Sequence, residues 1–248
     1  MTDRIDTILA AARRHCNEVI RPEVDQWNAM GKWPRHASDQ AAALGLTGLY
    51  CPEELGGQGL SLGDGIRVYE ELGKGDGAYA FALSMHNICS YAVCGFGTDA
   101  FKKKWARDLT AGRKLANFAL TEPQSGSDAS IMYSRARING DGTWTISGAK
   151  AWVSLAGVAD VYLTVVKTSD VPGHTDMAMI AIRRKPRGSA SVRAMRRPPI
   201  ISCRCPRCIS LMSPCRRKTS SCQWARGCRA RSWPSTSRVF PSLRVAAG

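Results

Sequence analysis

No aspartate or glutamate stands after Asp176 in this 248-residue sequence, and that absence decides how its formal net charge of +15 is read. Spread evenly, such an excess would suggest a surface for nucleic acid or anionic lipid. Instead, residues 1–182 hold 18 Lys and Arg against 20 Asp and Glu, a balance of −2. Residues 183–248 hold 17 Lys and Arg and no acid, a balance of +17 that accounts for the rest. The sequence is two unlike stretches joined near Arg183.

Other absences narrow the class. No apolar run approaches the ~20 residues that a membrane-spanning helix needs, so no membrane partner is expected. The N-terminus places Asp3, Arg4 and Asp6 where a secretory leader would have an apolar run. Cys16, Cys51, Cys89 and Cys94 are scattered through the body without pairing pattern, the usage of reduced, packed thiols in a cytoplasmic protein rather than of a disulfide framework. His15, His36, His86 and His174 show no ligand spacing, so none is assigned a metal site.

What is present reads first as helix. Ile5, Ile8, Leu9, Ala12, Cys16, Val19 and Ile20 follow helical spacing with charges on the other face, and Pro22 is a point where this helix can bend. A second helix is expected from Pro34 to Gly45. Residues 48–59 are too rich in glycine for regular structure and read as a shaped loop. Helices resume over Leu62 to Leu72 and from Ala78 to about Val93, the latter apolar nearly all round and so expected inside a bundle. Thr98 is the N-cap of a helix carrying Phe101, Trp105 and Leu109, stopped by Gly112.

After Lys114 the apolar period falls to two. Trp144 and Ile146, then Val161, Leu163 and Val165, then Met177, Met179 and Ala181 alternate with their neighbours, with turn signals at residues 139–142 and at Ser147-Gly148. The fold class is therefore α+β: a helical domain over residues 1–113, and a small antiparallel β-barrel or sandwich over 114–182. That second unit is marginal alone and is expected to lean on its neighbours.

Between the two lies Asn117-Phe118-Ala119-Leu120-Thr121-Glu122-Pro123-Gln124-Ser125-Gly126-Ser127-Asp128. A short apolar strand runs into a turn loaded with hydroxyls, which offers Thr121, Ser125 and Ser127 beside exposed N–H groups. Such a concavity suits an anionic or carbonyl-rich ligand, including the pyrimidine edge and pyrophosphate of a flavin. On residue types alone it also suits an ordinary loop whose Ser and Thr bond their own backbone. Phe118, Leu120 and Trp152 could likewise be β-core residues.

The order of these residues resembles the acyl-CoA dehydrogenase family, whose signature Phe-Ala-Leu-Thr-Glu-Pro-x-x-Gly-Ser-Asp closely follows. The likeness extends over most of residues 5–182. Residues 52–59 look like the family's N-terminal loop, 97–109 like its Gly-Thr-x-x-x-Lys helix, and 148–154 like its Gly-x-Lys-x-Trp-Ile-Thr strand. Gln124 and Ser154 are mild departures. The resemblance implies a flavoenzyme that oxidises acyl-CoA thioesters to 2,3-enoyl-CoA. FAD takes the β-hydrogen as hydride, a carboxylate removes the α-proton, and an electron-transfer flavoprotein reoxidises the flavin.

Carried over by position, the resemblance implies that Phe118, Leu120 and Thr121 line the flavin, with the Thr121 hydroxyl at its N1/O2 edge. Gly126 lets the backbone approach, Ser127 meets the cofactor pyrophosphate or the CoA arm of the substrate, Trp152 packs on the ring and Ser154 bonds it. Glu122 belongs to the loop and is not the family's base. That base is a glutamate from a C-terminal four-helix domain, which also supplies much of the contact between subunits in the family's homo-oligomers. With no acid after Asp176, no catalytic residue is assigned, and the chain is expected to be inactive as written. Acyl-CoA oxidase and nitroalkane oxidase share the fold and remain near alternatives.

Residues 183–248 hold only nine Ile, Leu, Val and Phe among 17 cations, which is not a core-forming composition, and no regular structure is expected there. Three readings compete. One is a basic arm for nucleic acid or anionic lipid, which for a non-enzymatic protein with a nucleic-acid-binding tail requires salt-sensitive binding that disappears when these residues are deleted. A second is a metal site from Cys203, Cys205, Cys208, Cys215, Cys222 and Cys228, whose spacing lacks paired Cys-x-x-Cys knuckles. The third is a frameshifted translation of GC-rich coding DNA. Shifting the codons by one base over Ser213–Ser221 permits Ala-Val-Pro-Ala-Glu-Asn-Leu-Leu. The same shift over 222–227 permits Pro-Met-Gly-Glu-Gly, and over 232–238 Val-Ala-Ile-Asp-Ile-Ala. The family carries a Val-Pro-x-x-x-x-Leu segment, a Gly-x-Gly turn and an apolar helix with an aspartate in that order, which favours the third reading and leaves no nucleic-acid partner expected.

Overall fold

The computed structural model describes residues 2–141, 144–169 and 177–184, together with three short strands farther along the chain. The reading of Cys203 to Cys228 as a metal site falls outside the described residues, as do His174 and the end of the turn at 139–142.

Helix α1 (Thr2–His15) buries Ile5, Ile8, Leu9 and Ala12 on one face. It runs into α2 (Arg21–Met30) through a single π turn at Cys16–Ile20. Pro22 sits in the first turn of α2 and has no N–H to give an i−4 carbonyl. The wider π turn absorbs the misfit, with the Arg21 N–H reaching back to Cys16 O. Gly31, at φ +59°, then closes α2.

Helices α3 (Arg35–Ala43), α4 (Leu62–Gly73), α5 (Gly77–Phe96) and α6 (Asp99–Thr110) follow. Side chains of Ser61, Asp76 and Thr98 accept the N–H of Asp64, Tyr79 and Phe101, capping α4, α5 and α6. The α5 sequence predicts burial on all sides, yet Phe81, Ile88, Tyr91 and Phe96 are exposed. Among the described residues α4, α6 and the first strand pack on α5, which leaves its remaining side uncovered.

The sheet domain begins with β1 (Ala116–Ala119), β2 (Arg135–Ile138), β3 (Trp144–Ser147) and β4 (Ala149–Lys150). Strands β5 (Val161–Lys167) and β6 (Met177–Arg183) complete its centre. It is a mixed sheet, not the antiparallel one that the sequence predicts. β1 and β2 pair with β5 in parallel, while β2–β3 and β5–β6 are antiparallel. Alternation reports which face a residue occupies and is silent on strand direction. Here the long excursion from β1 to β5 lets the chain return in the same sense.

Three strands lie inside the stretch for which no regular structure was expected: β7 (Val192–Arg193), β8 (Ile200–Ser202) and β9 (Ile209–Leu211). β9 extends the main sheet beside β6, and β8 joins β4 to β7 in a second, three-stranded sheet. Five of the nine Ile, Leu, Val and Phe of that stretch fall in these strands, where open sheet edges offer backbone partners.

Helices and sheet share one core. Cys89, Val93, Phe101, Trp105 and Leu109 pack with Ala116, Val161, Leu163 and Ala181. His86, fully buried on α5, ties the two parts further. Its Nδ1 accepts the Ala116 N–H at 3.1 Å, so the ring proton sits on Nε2, which donates to Leu109 O at 3.1 Å. Burial pushes its pKa down to about 4, although the backbone bonds pull the other way. His15 is likewise lowered to about 4 by burial.

Both histidines therefore bind a proton more readily when unfolded, near their ordinary 6.5. Stability is predicted to fall as pH drops from about 6.5 towards 4. Urea midpoints measured across that window should show the decline, and His86→Gln should flatten part of it while costing about 1–3 kcal/mol at pH 7.

Candidate flavin site

β1 and β2 lie end to end along the same edge of β5. β1 occupies Val161 to Thr164, and β2 rejoins at Lys167. Residues 120–134 must leave the sheet and return within that gap, so the signature loop is an excursion from a strand edge, firmly anchored at both ends. Glu122 and Ser125 exchange backbone hydrogen bonds of 2.8 and 3.1 Å. The Ser125 hydroxyl donates to Asp128 O at 2.8 Å, and the Asp128 carboxylate caps the Ser130 N–H at 2.9 Å.

The hub of the loop is the Glu122 carboxylate, only 2% exposed. It accepts Lys150 Nζ at 2.8 Å, the Tyr133 N–H at 2.6 Å, the Ser134 N–H at 2.9 Å and Gln124 Nε2 at 2.6 Å. Burial pushes this carboxyl upwards, but the Lys150 ammonium and the donors from Ser134 and Tyr133 outweigh it and hold the pKa at about 2. Burial lowers the Lys150 pKa, and Glu122 opposes that fall. Lys150 also donates to Leu120 O at 2.9 Å, so its ammonium bridges the end of β1 and the loop. Gly148 makes the approach of β4 possible: it has φ +141°, and a Cβ there would run into Ser134.

From β4 the chain passes to Ala151, whose N–H donates to Thr121 O at 2.8 Å. Trp152 follows with φ +59°, the one non-glycine residue with positive φ among the described residues. Its indole is 70% exposed. Val153 and Leu155 are buried against Leu115, Ala119 and Tyr162, and the alternation leaves Trp152 and Ser154 outside that cluster. A bulky residue held in a left-handed conformation, with its ring in solvent, is strained on behalf of something other than packing.

The residues of the loop and of the segment that faces it thus separate into two sets. Glu122, Ser125, Asp128 and Lys150 bond to one another or to the loop backbone. Thr121, Gly126, Ser127 and Ser154 keep free donors: the N–H groups of Thr121, Gly126 and Ser127 and the hydroxyls of Thr121, Ser127 and Ser154 have no partner among the described residues. A Cβ at Gly126 would meet open space, so the fold itself does not demand glycine there. Thr121 and the Trp152 segment are brought together through Ala151, and Gly126 and Ser127 follow on the pinned turn. Leu120 is half-buried. Phe118, also half-buried, packs instead on the cluster shared with α5 and α6, and no ring contact joins it to Trp152 among the described residues.

Sequence reasoning gave Lys150 no role. Its signal was a single cation between Ala149 and Ala151 in a strand-like run, which is legible only once Glu122 is known to face it.

Family models of the acyl-CoA dehydrogenase N-terminal domain and the acyl-CoA dehydrogenase middle domain match residues 2–113 and 117–201. The chain belongs to the acyl-CoA dehydrogenase family. The short-chain-specific acyl-CoA dehydrogenase of Megasphaera elsdenii is 35% identical over 178 residues, 70% of this chain and 46% of that protein. Among solved structures, a glutaryl-coenzyme A dehydrogenase in complex with glutaryl-CoA superposes with a TM-score of 0.73 at 28% identity, over 86% of this chain and 55% of that one. The FAD complex of PigA gives a TM-score of 0.70 at 25% identity, over 82% and 56%. The chain spans under half the length of the curated relatives that it matches first. In this acyl-CoA dehydrogenase fold the signature loop coincides with the locked excursion, and the match to the middle domain ends at residue 201, just before the cysteine-rich stretch.

Removing one partner of the buried pair, as in Glu122→Gln or Lys150→Met, is predicted to cost about 3–5 kcal/mol of stability. Urea denaturation checks this, and the double variant should lose less than the sum of the two single losses because the sites are coupled.

Proposed function

We propose that residues 1–182 are the flavin-binding part of an FAD-dependent acyl-CoA dehydrogenase. The observation that carries this reading is the division just described: a framework bonded to itself surrounds donors left without partners and one strained, outward indole. Donors so placed suit a planar heteroaromatic ring with a carbonyl-rich edge and an attached pyrophosphate. Trp152 offers the ring a face. The Thr121 N–H and hydroxyl suit the pyrimidine edge, where they stabilise negative charge that develops on reduction. Gly126 and Ser127 present successive N–H groups suited to phosphate oxygens, or to the CoA arm at Ser127. The Ser154 hydroxyl is a further donor to the ring. FAD, when bound, supplies the acceptor for the β-hydrogen of the acyl thioester, and an electron-transfer flavoprotein is the partner that removes the electrons.

Within residues 1–248 the α-proton lacks a base. Glu122 is ionised, but its oxygens are filled by four donors, and no carboxylate follows Asp176. The middle-domain match runs through 183–201, so those residues read as in-frame sequence, while its end at 201 and the absence of acid beyond it support the reading of residues 202–248 as out of frame. Without the residues that a helical C-terminal domain would add, FAD is held too weakly to survive purification.

The purified chain is predicted to lack visible flavin absorbance and to leave an artificial dye unreduced with acyl-CoA. A chain expressed with the frame corrected beyond residue 201, where the middle-domain match ends, should gain both properties. Dye reduction by the uncorrected chain would overturn the missing-base argument, and a frame-corrected protein that binds no FAD would overturn the flavin reading.

A further inference from the structure

We propose that Lys150 is a positioning residue: through Leu120 O it aims the Thr121 N–H out of the fold and strengthens it as a donor, while Glu122 holds Lys150 in place. The purpose of that N–H rests on the flavin reading above; its orientation does not.

The chain has no cis peptide among its described residues, so Leu120 C=O and Thr121 N–H point in opposite directions within their shared plane. Lys150 Nζ meets Leu120 O at 2.9 Å from the side of the buried pair. The Thr121 N–H therefore points away from that pair, and no acceptor meets it among the described residues. The following peptide is fixed too, because Thr121 O takes the Ala151 N–H at 2.8 Å. A cationic donor on a carbonyl polarises the whole amide, and the low dielectric around a side chain only 2% exposed preserves the effect.

Strand cohesion alone does not call for this arrangement. An apolar pair of similar volume would spare the cost of burying two charges. Such a pair would leave Leu120 O without its donor, and the Tyr133 and Ser134 N–H groups without their acceptor. What lysine adds over leucine is a fixed and polarised Leu120–Thr121 amide.

The test is nuclear magnetic resonance on the full chain labelled with nitrogen-15 and carbon-13, compared with Lys150→Arg and Lys150→Met. The nitrogen shift of an amide responds to hydrogen bonding at the carbonyl before it. Lys150→Met is expected to move the Thr121 nitrogen upfield while the amides of α1 to α4 stay in place, and Lys150→Arg is expected to restore the original position. An unmoved Thr121 resonance in folded Lys150→Met would overturn the proposal. If Lys150→Met does not fold, a scalar correlation between Lys150 Nζ and the Leu120 carbonyl carbon in the unaltered chain decides, its presence supporting the proposal and its absence overturning it. Millimolar FAD added to the unaltered chain tests the other reading separately. Shifts at Thr121, Gly126 and Ser127 support the flavin assignment, and none overturns that assignment while leaving the Lys150 result intact.

Discussion

Between Glu122 and Lys150 a carboxylate and an ammonium, both shut off from water, meet at 2.8 Å. The loop that carries the family signature buries one large apolar side chain, Met132. It is short, hydroxyl-rich and suspended between two strands that share one edge of β5. Its shape comes from the Glu122 carboxylate, which collects donors from Gln124, Tyr133, Ser134 and Lys150 and so draws both ends of the excursion towards one point. Burying the two charges is costly, and once one is buried the other is obligatory. That dependence makes the loop rigid while its outward groups stay free, as a binding surface arranged in advance of its ligand requires.

A second tie works at longer range. His86 sits on a helix and bonds the first residue of the sheet, and the cluster around Cys89, Val93, Phe101 and Leu163 has walls from both parts. The sheet domain does not close a core of its own on this side. Its stability is borrowed from α5 and α6, and the position of the loop is therefore referred to the helices through β1. Neutral His86 is part of that reference: a proton on Nδ1 would set two donors against each other at Ala116.

Much of this was legible in the sequence. Helical spacing located α1, α4, α5 and α6, Thr98 was identifiable as a cap, and the order of residues 117–128 was specific enough to point to a family. Strand direction was not legible, because β1 pairs with residues far along the chain and alternation is the same for either sense. The π turn was hidden because Pro22 advertises a disturbance but not its form. Trp152 read as readily as a core residue, since nothing in a one-dimensional pattern records a left-handed backbone. Lys150 was passed over for a similar reason: a lone lysine is ordinary until its partner is placed. The exposed side of α5 was misjudged because composition reports how apolar a helix is and not how many neighbours the rest of the chain provides.

The parallel pairing of β1 with β5 also sets an order of events in time. Ala116 finds its partner at Val161, 45 positions later (161 minus 116). No hairpin can pair β1 early, and loop closure must precede any reward. A nascent chain that has emerged only as far as the signature loop has its helices but an unpaired strand edge, open to mispairing and to proteases. β5 supplies the edge that β1 and β2 share, so the loop between them is anchored at both ends only once β5 is in place. The surface that reads most clearly in the sequence is thus among the last parts of the molecule to acquire its shape.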